Sequence, residues 1–350
     1  MAIELDKVDK KLLYYLSGNA RLSYSVLASN VGLSREAVKN RIERMVREKA
    51  ILSFRMQATH PHFGLEFYNL YISFSRMDAQ TQKQYEDYIK GHPAVMWGNR
   101  CLGRWDYTMF LLVKDLNDLA EIISDFKDEF RGNIRQLEFD AVLYEYVYRS
   151  RVGKFFEGLG AKEIRIAKDD SSFYRLLETK TAKLEKKHTR FALDKTDVKI
   201  LEMLSENCRQ TLHEMAVISG IPVENIRYRM RRLIENGGIV AFWATINYDV
   251  FGLHWYRIMI KMNRISEEEE KKLTAFLVGH PNVFWAPKSI GIVDMHIDIR
   301  AEDNKAVNEF LTEFNSKFGD AVIDYETLIM TNEFDHNNFT SKMYEVAKDS

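Results

Sequence analysis

A shift of 188 residues lays this chain over itself without a gap for about 135 positions. Leu5-Asp6-Lys7-x-Asp9 returns as Leu193-Asp194-Lys195-x-Asp197, and Leu16-Ser17-x-Asn19-x-Arg21 returns as Leu204-Ser205-x-Asn207-x-Arg209. Phe63-Gly64-Leu65 matches Phe251-Gly252-Leu253, and Gly91-His92-Pro93-x-Val95-x-Trp97 matches Gly279-His280-Pro281-x-Val283-x-Trp285. Solenoid units repeat every 20 to 50 residues or so, and a longer period means copied domains. Whatever one half folds into, the chain folds into twice. Its 350 residues, 46% apolar and 12% aromatic, are enough for several buried cores.

The net charge of −1 hides a strong asymmetry. Residues 1–60 carry +5, 61–150 carry −4, 151–187 carry +4, 188–248 carry +1 and 249–350 carry −7. Positive charge therefore sits at the head of each half and in the segment between them, which points to nucleic acid as a partner of the heads. Cys101 and Cys208 have no disulfide or metal-ligand spacing, which fits a reducing, cytoplasmic compartment. Apolar runs such as Met109 to Val113 fall far short of the roughly 20 residues a bilayer needs, and Met1 to Lys11 is no signal peptide, so no membrane role is expected.

In the first head, Leu5, Val8, Leu12, Leu13 and Leu16 share one helical face, with Asp6 placed to cap it. Ser23 can cap a second helix, Gly32 breaks it, and Ser34 caps a third through Val38, Ile42, Met45 and Val46. The spacing Ala28, Gly32, Val38 suits a helix-turn-helix and recurs as Ala216, Gly220, Ile226. Ile51 to Phe54 and Ile239 to Phe242 follow as wing strands. The polar face of the third helix offers Arg35, Lys39, Asn40, Arg41, Arg44 and Arg47; its copy offers Asn225, Arg227, Tyr228, Arg229, Arg231 and Arg232. Guanidinium and amide groups on a helix can read guanine and adenine in the major groove of double-stranded DNA while other cations hold phosphates. The plain alternative is ordinary solvated helix charge.

The remainder of each half reads as βαββαβ: Tyr68 to Phe74, Thr81 to Lys90, Val95 to Leu102, Tyr107 to Val113, Asn117 to Phe130 and Leu137 to Val147, and again from Arg257 to Thr331. The fold class is α+β, with two winged helix-turn-helix domains and two ferredoxin-like βαββαβ sandwiches in tandem. Apolar residues on the bare sheet faces, among them Tyr71, Trp97, Phe110, Trp285 and Met295, need cover, and the second copy of the sheet is the expected lid. The boundaries fall at 1–60, 61–150, a basic and partly helical linker at 151–188, 189–248, 249–335 and a polar tail at 336–350.

These halves resemble the Lrp/AsnC (feast/famine) family of transcriptional regulators, through the Leu-Asp-x-x-Asp start, the Ala-x3-Gly-x5-β-branched turn, the Ile-x-x-Phe wing, the Phe-Gly-Leu step and a Gly-x-x-Asp between sheet strands. The resemblance implies a sequence-specific DNA-binding regulator that assembles through its α/β domains, here as a homo-oligomer or an intrachain pseudo-dimer. It implies an amino-acid or other small effector near Gly103 and Asp106, and near Gly291 and Asp294. Physically, Gly permits close backbone approach and Asp can receive an ammonium group, while the bland alternative is a turn whose Asp bonds its own backbone. A non-specific architectural DNA-binding protein is one rival. Sirohaem decarboxylases, which resemble the same family and use basic and histidine side chains after the wing, are another; here those positions hold Arg55-Met56-Gln57 and Trp243-Ala244-Thr245. His60-Pro61-His62 would project both rings from one strand face, but no Cys or further His is nearby in the sequence, so no metal is expected. His92 and His280 read as structural, beside Gly91 and Gly279 as left-handed helix ends. No nucleophile–base pair, phosphate loop or carboxylate pair supports an enzyme or a cofactor.

Overall fold

The computed structural model describes residues 3–160, 190–334 and 339–347. The first half runs α1 (Lys7–Gly18), α2 (Tyr24–Val31), α3 (Arg35–Arg47), β1 (Ile51–Ala58), β2 (Glu66–Phe74), α4 (Ala79–Gly91), β3 (Val95–Leu102), β4 (Tyr107–Val113), α5 (Leu116–Glu129) and β5 (Ile134–Tyr148). The second half repeats the order as α6 (Lys195–Glu206), α7 (Leu212–Ser219), α8 (Val223–Glu235), β6 (Ile239–Ile246), β7 (His254–Met262), α9 (Glu267–Gly279), β8 (Val283–Gly291), β9 (Met295–Ala301), α10 (Asn304–Phe318) and β10 (Val322–Phe334), before a short α11 (Lys342–Val346). The linker read as partly helical falls mostly on 161–189, outside the described residues.

The chain sorts into two compact units that interleave the halves: residues 1–63, 150–251 and 346–350 form one, and residues 64–149 and 252–345 the other. The first unit holds both winged helices. The local signals act as the sequence implies: Ser23 and Ser34 oxygens accept the N–H groups of Val26 and Ala37, and Gly32 takes φ +73° to end α2. Leu12, Leu13, Leu16, Leu27, Val38 and Met45 are buried, each side chain contributing about 1.5–3 kcal/mol.

The wings depart from expectation. Each was read as a short strand of its own half; instead β1 and β6 are eight residues long and pair antiparallel with each other, Phe54 opposite Ala244 and Met56 opposite Phe242. A lone strand leaves its backbone groups unpaired, and the two copies satisfy one another. The join is reciprocal. Ala20 donates its N–H to the Phe242 carbonyl at 2.7 Å, and Cys208 donates to that of Phe54 at 2.9 Å. Arg21 reaches the carbonyls of Cys208 (2.5 Å) and Gln210 (3.1 Å), while Arg209 reaches those of Ala20 and Leu22.

The second unit is a closed eight-stranded barrel in the order β10-β3-β4-β2-β5-β8-β9-β7, with β7 returning to β10. The second copy of the sheet does cover the first: the two join through β5–β8 and β10–β3 into one barrel, inside which Trp285 meets Trp97 at 6.3 Å and Phe110 at 5.3 Å. Met295 lies instead in the outer cluster with Ile297 and Ile299, because it shares their strand face. Helices pack outside on Leu70, Ile72 and Met109 in one half and on Ile258, Ile297 and Ile299 in the other. Part of the segment read as a polar tail is also packed, with Phe339 and Met343 buried and Lys342 Nζ 2.7 Å from Asp118.

Two smaller readings are corrected. His60-Pro61-His62 lies in a 3-10 turn with both histidines buried, closed by the His62 N–H on the Thr59 carbonyl at 3.0 Å, and the second half turns in the same way over Tyr248–Phe251. Gly91 and Gly279 are not left-handed caps; His92 and His280 end those helices with extended backbone, and their Nδ1 atoms accept the N–H groups of Ala94 (3.2 Å) and Asn282 (3.3 Å).

Candidate nucleic-acid interface

Asp6 and Asp194 start α1 and α6 in the same way. Each carboxylate accepts the N–H of the residue three positions on, Asp9 or Asp197, at 2.8 Å, and that residue's carboxylate accepts the cap's N–H at 3.2 Å. The two orphan donors of the first turn are thus satisfied reciprocally.

The same four carboxylates hold the inner cations of the third helices. Arg41 Nη1 lies 2.7 Å from Asp6 and 2.8 Å from Asp9, and Arg44 Nη2 lies 2.5 Å from Asp9. In the copy, Arg229 Nη1 lies 2.6 Å from Asp194 and 2.8 Å from Asp197, which also pairs with Arg232. Asp9 and Asp197 are buried. Burial works against the Asp6 and Asp194 carboxylates, but the backbone N–H groups and the facing guanidinium outweigh it and hold both below the usual carboxylate range. Leu-Asp-x-x-Asp and Arg-x-x-Arg together form a clasp fastening the first helix of each head to the third. The sequence showed both motifs in duplicate but not that they meet.

The structure separates the candidate DNA-contacting residues into two sets. Arg41, Arg44, Arg229 and Arg232 are half-buried in the clasps. Arg35, Asn40, Asn225, Tyr228 and Arg231 are exposed; Lys39 and Arg227 are half-exposed, each beside a glutamate on its own helix, Glu43 at 3.9 Å and Glu224 at 3.3 Å. Exposed intrahelical pairs of this kind are worth a few tenths of a kcal/mol, roughly, and exchange easily for phosphate.

In the barrel, Gly103 and Gly291 both take φ +141°. A Cβ on Gly103 would lie 2.8 Å from the Leu328 side chain, and one on Gly291 would lie 2.6 Å from the Phe139 carbonyl, so both glycines allow the β3–β4 and β8–β9 turns to cross a strand of the other half. Asp106 accepts the Phe74 N–H at 2.7 Å and Asp294 that of Met262 at 2.8 Å. The carboxylates thus bond a neighbouring strand and not the turn's own backbone. Lys261 Nζ also lies 3.3 Å from Asp294.

Sequence reasoning missed a polar network inside the barrel. Asp140 accepts from Asn69 (3.1 Å) and Tyr71 (2.7 Å), and lies 3.0 Å from His296 Nε2. Burial would raise the Asp140 carboxyl, but the His296 ring and the two donors bring it below its ordinary value. Arg257 grips Asp298 with two bonds of 2.9 Å. Glu145 accepts from Trp285 Nε1 at 2.7 Å, and burial pushes its carboxyl up to about 7. The available signal was the polar phase of Met295-His296-Ile297-Asp298-Ile299-Arg300, with charge on every second residue of a strand.

Among the described residues, no helix is long and apolar enough to cross a membrane. Residues 5–46 match the AsnC-type helix-turn-helix domain, and residues 193–240 match a winged helix-turn-helix DNA-binding model. HTH-type transcriptional regulator FL11 of Pyrococcus furiosus is 32% identical over 122 residues, 34% of this chain and 78% of that protein. An uncharacterized HTH-type transcriptional regulator of Pyrococcus abyssi is 30% identical over 149 residues, 41% of this chain and 99% of that protein. The crystal structure of the siroheme decarboxylase NirDL matches 97% of this chain and 98% of its own at a TM-score of 0.60 and 12% identity, a likeness of fold.

Proposed function

The chain belongs to the Lrp/AsnC family of transcriptional regulators, and from that premise we propose that it is a sequence-specific DNA-binding regulator acting in the cytoplasm, and not an enzyme. Two winged helices on one chain present α3 and α8 to major-groove half-sites. The observation that carries this reading is the division of each third helix: the clasp consumes the inner arginines, while Arg35, Lys39 and Asn40, or Asn225, Arg227, Tyr228 and Arg231, are left toward solvent. The two exposed sets differ, so the half-sites are unlike. An amino-acid effector belongs to the same reading at Asp294, where the Lys261 ammonium stands where a ligand ammonium would, and calorimetry on Asp294→Ala tests it.

The decisive experiment titrates the full chain, near physiological salt, against DNA from upstream of its own gene and a shuffled control. Native DNA is expected to bind more tightly, with affinity falling steeply as salt rises. Arg35→Ala and Arg227→Ala should each weaken binding by about 1–3 kcal/mol without changing the melting temperature. Equal, weak binding to both DNAs would overturn the reading in favour of an architectural protein.

One observation favours a second reading, the full-length likeness of fold to a siroheme decarboxylase. The positions expected to be basic or histidine lie in the β1–β6 ladder, where Met56 and Ala244 are buried and Arg55 faces Trp243. Sirohaem added to the protein should keep its free absorption spectrum; a shifted band would revive the enzyme.

A further inference from the structure

In the second head the clasp holds more than carboxylates. Arg229 gives its Nη1 to Asp194 and Asp197, while its Nε donates to Oδ1 of Asn225, one turn earlier on α8, at 3.0 Å. In the first head the residue 188 positions before Asn225 is Ala37, whose side chain gives Arg41 nothing to hold. The clasps are alike, but only one of them reaches a side chain on the exposed face of its third helix.

That bond decides how the Asn225 amide is turned. A guanidinium only donates, so the carbonyl oxygen and not the NH2 group faces Arg229. The oxygen has two lone pairs, and Arg229, rooted on the same helix, takes one of them. The other lone pair and the NH2 group have no partner among the described residues and form the free edge of an exposed side chain in the first turn of α8. The N-terminal residues of a recognition helix are those that reach base edges. An acceptor beside a donor matches the N6 amino group and N7 of adenine, a pair that no other base presents in the major groove. Asn40, the amide of α3, stands three residues further along its helix, where the copy has Tyr228, and no bond braces it among the described residues.

Resting on the DNA reading above, we propose that Asn225 makes the second head demand adenine at one base pair, with Arg229 as its positioning residue, and that the first head, with Ala37, makes no such demand. Asp194 and Asp197 hold Arg229, Arg229 holds the amide, and the amide meets the base. A side chain already held in its bound orientation loses less freedom on binding and tolerates a mismatched base less well.

Enrichment of randomised double-stranded DNA by the full chain, followed by sequencing, tests this. The native chain should select two unlike half-sites, with adenine demanded at the Asn225 position of only one. Asn225→Ala should cut the preference for adenine there by roughly 5- to 150-fold, the worth of one bidentate pair, and leave the other half-site as it was. Asn225→Asp keeps an acceptor for Arg229 but removes the outward donor, so the preference should move to cytosine, which offers an amino group alone. Arg229→Lys and Arg41→Lys loosen the two clasps alike, yet only Arg229→Lys should blur the adenine. Ala37→Asn, one turn before Arg41, should install the same demand in the other half-site. A native motif untouched by Asn225→Ala, blurred equally by both lysine variants, or unchanged by Ala37→Asn would overturn the proposal and leave the DNA reading standing. A native chain that enriches no motif would overturn both.

Discussion

The two halves agree where they build the heads and diverge inside the barrel. Asp6, Asp9, Arg41 and Arg44 recur as Asp194, Asp197, Arg229 and Arg232 in the same clasp, and Arg21 and Arg209 exchange the same bonds across the paired wings. In the barrel, Arg257 and Asp298 form a buried ion pair where the first half has Asn69 and Phe110, and Phe110 stacks on Trp97 at 4.1 Å. Asp140 comes from the first half and His296 from the second, at positions that hold Leu328 and Thr108 in the other copy. The buried network therefore cannot be made by two identical halves. The barrel interior has specialised toward pairing within one chain, while the heads have kept the symmetry of a dimer.

The largest break in this comparison should come from Asp298→Ala, which strands the Arg257 guanidinium in the barrel. A loss of about 3–5 kcal/mol by denaturant titration is expected, whereas the double replacement Arg257→Met/Asp298→Leu should lie near neutral. A mild effect from the single change would mean that water reaches Arg257. In the heads the copies should behave alike. Asp9→Ala and Asp197→Ala each remove a capping partner and take the buried carboxylate from Arg44 and Arg232, while Arg41 and Arg229 keep Asp6 and Asp194, at about 2–3 kcal/mol apiece. Unequal losses would break the symmetry claimed for the clasps.

The turns offer a graded test. Gly291→Ala meets rigid backbone at the Phe139 carbonyl, while Gly103→Ala meets the end of the flexible Leu328 side chain. Both pay for positive φ, so melting temperatures should fall in both, by about 1–3 kcal/mol equivalent, and further for Gly291. The smallest effect is on pH dependence. Burial lowers the His92 and His280 pKa values, and both rings accept a backbone N–H through Nδ1, so the folded state favours the neutral ring. The unfolded chain takes up protons first as pH falls through about 6.5, so their contribution is complete above that value and is lost below it. His92→Gln with His280→Gln should flatten the stability profile between pH 7.5 and 5.5 or so.

Much of the fold was legible because its signals are local. Ser23, Gly32 and Ser34 fix helix ends through their own backbone bonds, and strand alternation places Leu70 and Ile72 on one face whatever the neighbour is. The candidate site was legible only as a face of the third helix. Arg41 and Arg35 look alike in a helical projection, and only the packing of α1 on α3 tells the clasped arginine from the exposed one.

By itself the sequence determined the duplication, which the shift of 188 residues shows directly, and the helix-turn-helix heads and the βαββαβ order, which rest on periodicity and caps within about twenty residues. Tertiary structure alone decided that the wings pair with each other, that the sheets close edge to edge into a barrel, and that Asp140 meets His296 across 156 positions. The physical reason is that backbone edges and buried charges take their partners from whatever folding brings alongside, and no local pattern records which partner that is.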